Sequence, residues 1–451
     1  TGFRAAPESA MSAHGVHVPT REEVIAGTAR PTAPILRTVA IVLGAVGLLT
    51  FLIGLFVRPD RTWQAMLINW LYFTTISSAA VVFVAVQRIT TARWSRSIIR
   101  FLEGYVAFLP VAFVLLVLIV IGGREYIFWW THTVPHIHEK KIYLDPSFFF
   151  PRVIITYLII AALSVWYIYT SVRLDVGLVP EAGAKWARGL RDRMRRGFGE
   201  ERRELHSTHS LQGRLAVFLG FAFVFGWIVL AWDLSMSLDP HFQSTMYGWW
   251  VFMGGWVAAL ASWTILVMLW RRHLDRYDLI TENHFHDLGK LCFAFTAFWG
   301  YLSFGQYLVI WYGNLGEETH WMRLRLIEVW RVPTLTVVAL MFFIPFFGLL
   351  SRAAKVFLPT MALFATSTLI GLWLHRYLEV YPSIYGVVRD LPLGVWELGI
   401  TLGFLGLWAF CYLSFMDAFP RMRVTLMTSP FRDEVQVPVD PRTMEPLPAH
   451  E

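Results

Sequence analysis

The chain has 451 residues, of which 56% are hydrophobic and only 16% charged, against about 25% charged in an ordinary soluble domain. With 21 Trp and 35 Phe, this composition excludes a disordered chain, a coiled coil, a collagen and a disulfide mini-protein. It also sets aside a soluble enzyme, because no fold of this size hides so much apolar surface from water. The formal net charge of +7 raises nucleic acid as a partner, but the basic residues lie in loops between apolar stretches, so no nucleic-acid partner is expected.

The first 35 residues are polar and Pro/Ala-rich and carry no cleavable signal pattern. The chain does not open on Met, and its start is expected upstream or at Met11. Ten stretches then reach the roughly 20 apolar residues that a membrane-crossing helix needs: 36–57, 64–86, 103–122, 148–170, 213–232, 244–270, 286–312, 331–351, 356–378 and 393–416. Their apolarity is continuous rather than alternating, which excludes a closed β-barrel. Spans nine and ten are short or interrupted by glycine, which leaves nine or eleven crossings as alternatives. The predicted fold is an all-α polytopic membrane protein. Spans one to four occupy 36–170, a basic loop 171–212, spans five to ten 213–416, and a Pro-rich tail 417–451. The tail reads either as an arm along a partner subunit or as a loose end. No internal repeat is evident.

Lys and Arg in the loops set the orientation. Arg88, Arg93, Arg96 and Arg100 follow span two, and nine basic residues between Arg173 and Arg203 follow span four. Arg271, Arg272 and Arg276 follow span six; Arg352 and Lys355 follow span eight. The alternate loops are poorer: Arg58, Arg61, Arg124, Lys140, Lys141, Arg323, Arg325, Arg376 and Arg389 are spread over four of the five, and the loop after span five has none. Both termini are therefore expected in the cytoplasm. The arginine run 188–203 reads as a loop beside anionic lipid.

An ionisable residue in or near a span is costly and marks function by default. In chain order, Glu103 opens span three on the cytoplasmic side. His132, His136, His138 and Glu139 form a periplasmic group whose spacing could bind a metal, though a surface or subunit-contact role is the stronger reading. Arg152 lies within span four. The loop from Asp233 to Thr245 carries Asp233, Asp239 and His241 with no Lys or Arg. A carboxylate or His there could accept a proton from a quinol hydroxyl; capping by Asp239-Pro240 and Ser244 or Thr245 explains the same residues. At the mouth of span seven, Glu282, His284, His286, Asp287 and Lys290 cluster, with His286 and Lys290 on one face. This set could relay protons, or simply start an interfacial helix with Lys290 snorkelling. Glu328, His375 and Glu397 sit near periplasmic ends, and Asp417 closes span ten. Cys292 and Cys411 are too few for a disulfide framework, a zinc site or a cysteine-ligated iron–sulfur cluster. No histidine pair suits two b-type haems, so a cytochrome b is disfavoured. Trp129, Trp130, Trp249, Trp250, Trp311 and Tyr312 read as an interfacial belt.

Two stretches carry a family resemblance. One is Ala231-Trp232-Asp233-Leu234-Ser235-Met236-Ser237-Leu238-Asp239-Pro240-His241-Phe242, continuing to Gly248. The other runs from His286-Asp287-Leu288-Gly289-Lys290-Leu291 through Phe295, Trp299, Tyr301, Gln306, Tyr307, Ile310, Trp311, Gly313 and Asn314 to Glu317-Glu318. Softer matches lie at Glu103 to Pro110 and Tyr143 to Arg152. Together they resemble the NrfD-like membrane subunits of bacterial alternative complex III, and among them the second such subunit, ActF. Where that family often has Glu-Pro-His-aromatic, this chain has Asp239-Pro240-His241-Phe242, a carboxylate one methylene shorter.

The resemblance implies two four-helix bundles plus two additional helices in a bacterial inner membrane. It also implies a place in a complex that oxidises quinol and passes electrons to a cytochrome c or directly to a terminal oxidase. Iron–sulfur clusters and c-type haems would sit on partner subunits, beside a sister NrfD-like subunit usually assigned the quinol site. This chain would hold no redox centre. Three readings follow. In the first, the chain supports assembly and conducts protons through His286, Asp287, Lys290 and Glu103 on one side and Asp233, Asp239, His241 and Glu328 on the other. In the second it binds quinol itself near Asp239 and His241. In the third it is a free-standing secondary transporter, which would call for discontinuous helices and inverted repeats.

Overall fold

The computed structural model describes residues 20–28, 30–131 and 140–435. Among these residues there is no strand. Ten helices are long and apolar enough to cross a membrane. They are Pro34–Val57, Pro59–Ile89, Ile99–Gly122, Pro146–Leu178, Glu201–Leu238, Tyr247–Leu274, Glu282–Gly313, Glu328–Gly348, Leu358–Tyr385 and Val395–Ala418, here spans one to ten. Phe56, Ile121, Phe225 and Val309 are exposed on the outside of the bundle, where a lipid solvent accommodates them without cost. The chain is a multi-pass membrane protein.

Local chemistry fixes several helix starts. Proline stands in the first turn of spans one, two, four and nine, where a missing N–H is harmless. Asp145 caps span four by accepting from the Ser147 amide. Thr281 and His284 cap span seven reciprocally. The helices are longer than the apolar runs, because nothing breaks them where the hydrocarbon ends. The stretch 171–212, expected as a loop, is therefore largely helical. Span four runs on to Leu178, a short helix occupies Arg188–Arg195, and span five begins at Glu201. Arg173 on span four and Glu204 on span five pair at 2.7 Å and tie the two extensions together.

Spans two to five pack as one four-helix bundle and spans six to nine as a second, with spans two, five, six and nine in contact between them. Spans one and ten lie against each other and against span two. Their contact is made by glycines: a Cβ on Gly47 would fall 2.0 Å from the Gly403 Cα, and one on Gly406 would fall 2.4 Å from the Gly44 nitrogen. These residues let two helix backbones approach closely, as small residues do in lipid. The glycines expected to interrupt span ten are its packing surface.

Span two is the axis of the molecule. An 18-residue apolar stretch of it is 94% buried, against 17% for the matching stretch of span one. The start of span one and the end of span ten meet where Arg37 pairs with Asp417 at 2.9 Å, so both ends of the membrane domain lie on one face, called here the terminal face. After span ten the chain turns back beneath the bundle, and Met422, Val424 and Thr425 are buried there. The described part of the tail, to residue 435, is thus a docked segment rather than a loose end.

Candidate functional site

A buried ion cluster lies at each face of the bundle. At the terminal face, Arg100 and Glu103 share the first turns of span three and pair at 2.5 Å with no exposure. Arg100 also reaches Asp175 on span four. Ser171 donates to Glu103 at 2.7 Å, and Arg423 of the returning tail stands 3.7 Å from the same carboxylate. Thr425 closes the cluster by donating its amide to Asp175 at 2.8 Å. Gln87, Arg88, Thr208, His209, Gln212 and Arg423 line a cavity of about 40 Å³ beside it, room for about three waters at ~10–15 Å³ each.

At the opposite face the charges fall into three groups. Arg152 grips Asp233 with two hydrogen bonds of 2.9 and 2.8 Å, and the Tyr143 hydroxyl adds a third at 2.8 Å. The guanidinium lies 3.9 Å from the Tyr143 ring centre. Burial, with the Asp233 charge beside it, pushes the Tyr143 hydroxyl well above its ordinary pKa. Arg61 holds Glu397 through contacts of 2.9 and 2.6 Å, and Tyr381 donates to Glu397 at 2.7 Å. The third group is the deepest. On span nine, Arg376 donates to Glu379 at 2.5 Å, and His375 Nδ1 stands 3.0 Å from Glu379 Oε1. All three side chains are buried.

One cavity reaches that third group, and a second adjoins the first at Gln306. One, of about 440 Å³, runs between spans six, seven, eight and nine, past Trp250, Trp299, Gln306, Phe342, His375 and Glu379. The other, of about 620 Å³, lies under the loop after span five and is lined by Lys140, Asp239, Gln243, Ser244 and Glu318. Gln306 lines both. Between the two faces, span two carries Thr74, Thr75, Ser77 and Ser78, all buried. Arg376 reaches Thr75 at 3.4 Å.

The structure sorts the residues expected from sequence. Glu103 and Asp233 are fully buried and central to their clusters. Asp239 lines the surface cavity, but His241 is exposed and lines neither cavity, because the turn at Asp239-Pro240 directs it outward. Glu328 is exposed at the start of span eight with a positive φ of 45°, a backbone state that costs energy in a residue with a side chain. It joins no buried cluster. At span seven, Lys290 is 55% exposed and pairs with Asp287 at 2.7 Å on the outer surface. His286 shares that outer side and lines none of the described cavities. The inward residue is His284, whose Nε2 lies 3.0 Å from Ser97. Burial and then the Lys290 charge hold the neighbouring Lys355 ammonium below its ordinary pKa. His132, His136, His138 and Glu139 lie outside the described residues. Trp130 and Trp250 turn inward rather than joining an interfacial belt, whereas Trp311 and Tyr312 face out.

Arg100, Asp175, Arg376 and Glu379 were not legible as site residues. Arg100, Asp175 and Glu379 lie just beyond the predicted spans, and by sequence Arg100 and Arg376 read as loop charges. The signal that could have found all but Asp175 is Arg-x-x-Glu at 100–103 and again at 376–379, one turn apart on a helix edge. Among the described residues, no group of three or more His, Cys, Asp or Glu side chains is placed to hold a metal ion. The chain matches no protein-family model, and comparison with curated proteins finds no match.

Proposed function

We propose that this chain is a proton-conducting membrane subunit of a respiratory quinol-oxidising complex of the alternative complex III type, in a bacterial inner membrane. Its partners would be the sister NrfD-like subunit, an iron–sulfur subunit and c-type cytochromes that hold the redox groups, with a terminal oxidase as an electron acceptor. The arginine-rich connections support a cytoplasmic position for the terminal face. The observation that carries the reading is the pair of fully buried carboxylate–arginine clusters, Glu103 with Arg100 at one face and Glu379 with Arg376 at the other. Structural ion pairs do not need to be buried in lipid, where they are costly.

The buried polar side chains between the two clusters mark the path. Protons enter by the small cavity beside Arg423 and reach Glu103. They cross the mid-plane over water bridging the hydroxyls of span two, then pass Glu379 and His375 to Gln306 and the cavity of Asp239. This path replaces the one expected through His286 and Lys290. The test is the complex carrying Glu379→Gln, a neutral side chain of the same size. It should assemble and oxidise quinol while translocating fewer protons per electron. Wild-type proton translocation in that variant would refute the path.

A further inference from the structure

Like charges gather at the small cavity of the terminal face. Arg88 at the end of span two, Arg96 in the connection that follows and Arg423 of the returning tail all line it, and none of its described lining residues is Asp or Glu. Arg100 is already held by Glu103 and Asp175. Arg423 is 8% exposed, and its ion contact, 3.7 Å to Glu103, is longer than a hydrogen bond. Arg88 donates through Nη2 to the His209 carbonyl at 3.0 Å, and its buried Nε has no partner among the described residues. Leaving Arg96 aside, Arg88, Arg100 and Arg423 are met among the described residues by Glu103 and Asp175, so three positive charges face two negative ones. A positive charge shut away from water without a partner is costly, and an anion drawn into the cavity offsets it.

The walls select the anion. Arg88 and Arg423 come from separate elements and reach one cavity, together with neutral groups: Gln87 on span two and Thr208 and Gln212 on span five. Ser95 donates to the Gln87 side-chain oxygen at 3.0 Å, which leaves that amide's nitrogen to donate. A planar carboxylate suits a single guanidinium fork. A tetrahedral phosphate offers oxygens in several directions, and guanidinium groups from separate elements can share it. The cavity's 40 Å³ holds about three waters. That is room for the oxygens of one phosphate, whereas a sugar ring or a base must stay at the mouth.

The surroundings place the mouth at the level of lipid headgroups. Ile89, next to Arg88, is 51% exposed. About two turns along span five from His209, Val217 and Phe218 are exposed on the outer surface, where hydrocarbon lies. Glu434, the tail carboxylate beside the lining residue Val435, is taken by Arg202 and His206 at 2.8 and 2.9 Å, so it does not serve Arg88 or Arg423. Basic pockets between helix ends at a membrane face bind phospholipid heads.

We infer that this cavity is a binding site for a phosphate group, either the head of an anionic phospholipid or a free phosphate, held by Arg423 and Arg88 with Gln87 and Thr208. The site shares its cavity with the entry of the proposed proton path. Binding is read without turnover, so failure of the one is seen separately from failure of the other.

The experiment uses the full chain, purified in dodecyl maltoside and washed free of lipid, titrated by calorimetry with two probes, inorganic phosphate and dihexanoyl phosphatidylglycerol. One equivalent of at least one probe should bind per chain. Binding of both assigns the site to phosphate as such; binding of phosphatidylglycerol alone assigns it to a lipid head. Arg423→Gln should weaken binding at least about tenfold, the factor for one lost hydrogen bond to a charged group. Thr91 is exposed at the rim of the cavity, and Thr91→Glu, which sets a carboxylate there, should weaken binding by a similar factor. Where Arg423→Gln lowers the melting temperature, Thr91→Glu alone decides. Arg214→Gln removes an exposed arginine of span five that lies outside the lining and should leave binding unchanged. Absence of one-to-one binding by either probe, wild-type affinity in Thr91→Glu, or a loss in Arg214→Gln as large as in Thr91→Glu would each overturn the site.

Discussion

Arg100 and Glu103 stand one helical turn apart and pair at 2.5 Å, with neither side chain reaching solvent. Asp175 and Thr425 complete the shell around them, so spans three and four and the returning tail converge on a single guanidinium. Removing one partner of a buried pair strands the other and costs about 3–5 kcal/mol. Arg100→Leu is therefore expected to destabilise the detergent-solubilised protein by about that amount in a denaturation series. Lys290→Leu, which breaks an exposed pair, should cost no more than about 1 kcal/mol. Equal effects would remove the distinction between a core cluster and a surface one.

The same logic applies at the opposite face, where Arg152 and Tyr143 both serve Asp233. Arg152→Met leaves a buried carboxylate with one neutral donor and should cost about 3–5 kcal/mol. Tyr143→Phe removes one hydrogen bond to a charged group and should cost about 1.5–3 kcal/mol. A double variant that loses no more than Arg152→Met alone would show that the tyrosine acts only through the arginine.

Spans one and ten offer a packing test. Gly47 faces Gly403 so closely that any side chain must push the helices apart. Gly403→Leu should therefore destabilise the protein, by about 1–3 kcal/mol if the helices shift to accept it. Cysteine cross-linking between spans one and ten should fall in parallel. Retained cross-linking would mean that the glycines do not hold this contact.

How legible was all this? The spans were, because lipid demands long apolar runs and little else produces them. Glu103 and Asp233 were also legible, since a carboxylate beside such a run has few innocent explanations. The rest failed at helix ends. The apolar run of span nine stops at Leu378, but the helix continues to Tyr385, which carries Glu379 into the buried core. Arg100 and Asp175 moved inside for the same reason. Lys290 misled because helical spacing shows which residues share a face and not which way that face points. Span two was the reverse case: its Thr and Ser residues lower its hydropathy, yet it is the most buried span, because neighbouring helices rather than lipid surround it.

The central claim is that protons pass through Glu103 and not past Lys290. The most direct measurement is the number of protons translocated per electron by the complex in sealed vesicles, compared between Glu103→Gln and Lys290→Gln at matched quinol oxidation rates. The account predicts a lowered ratio in the first and the wild-type ratio in the second. A wild-type ratio in Glu103→Gln, or a loss confined to Lys290→Gln, would contradict it.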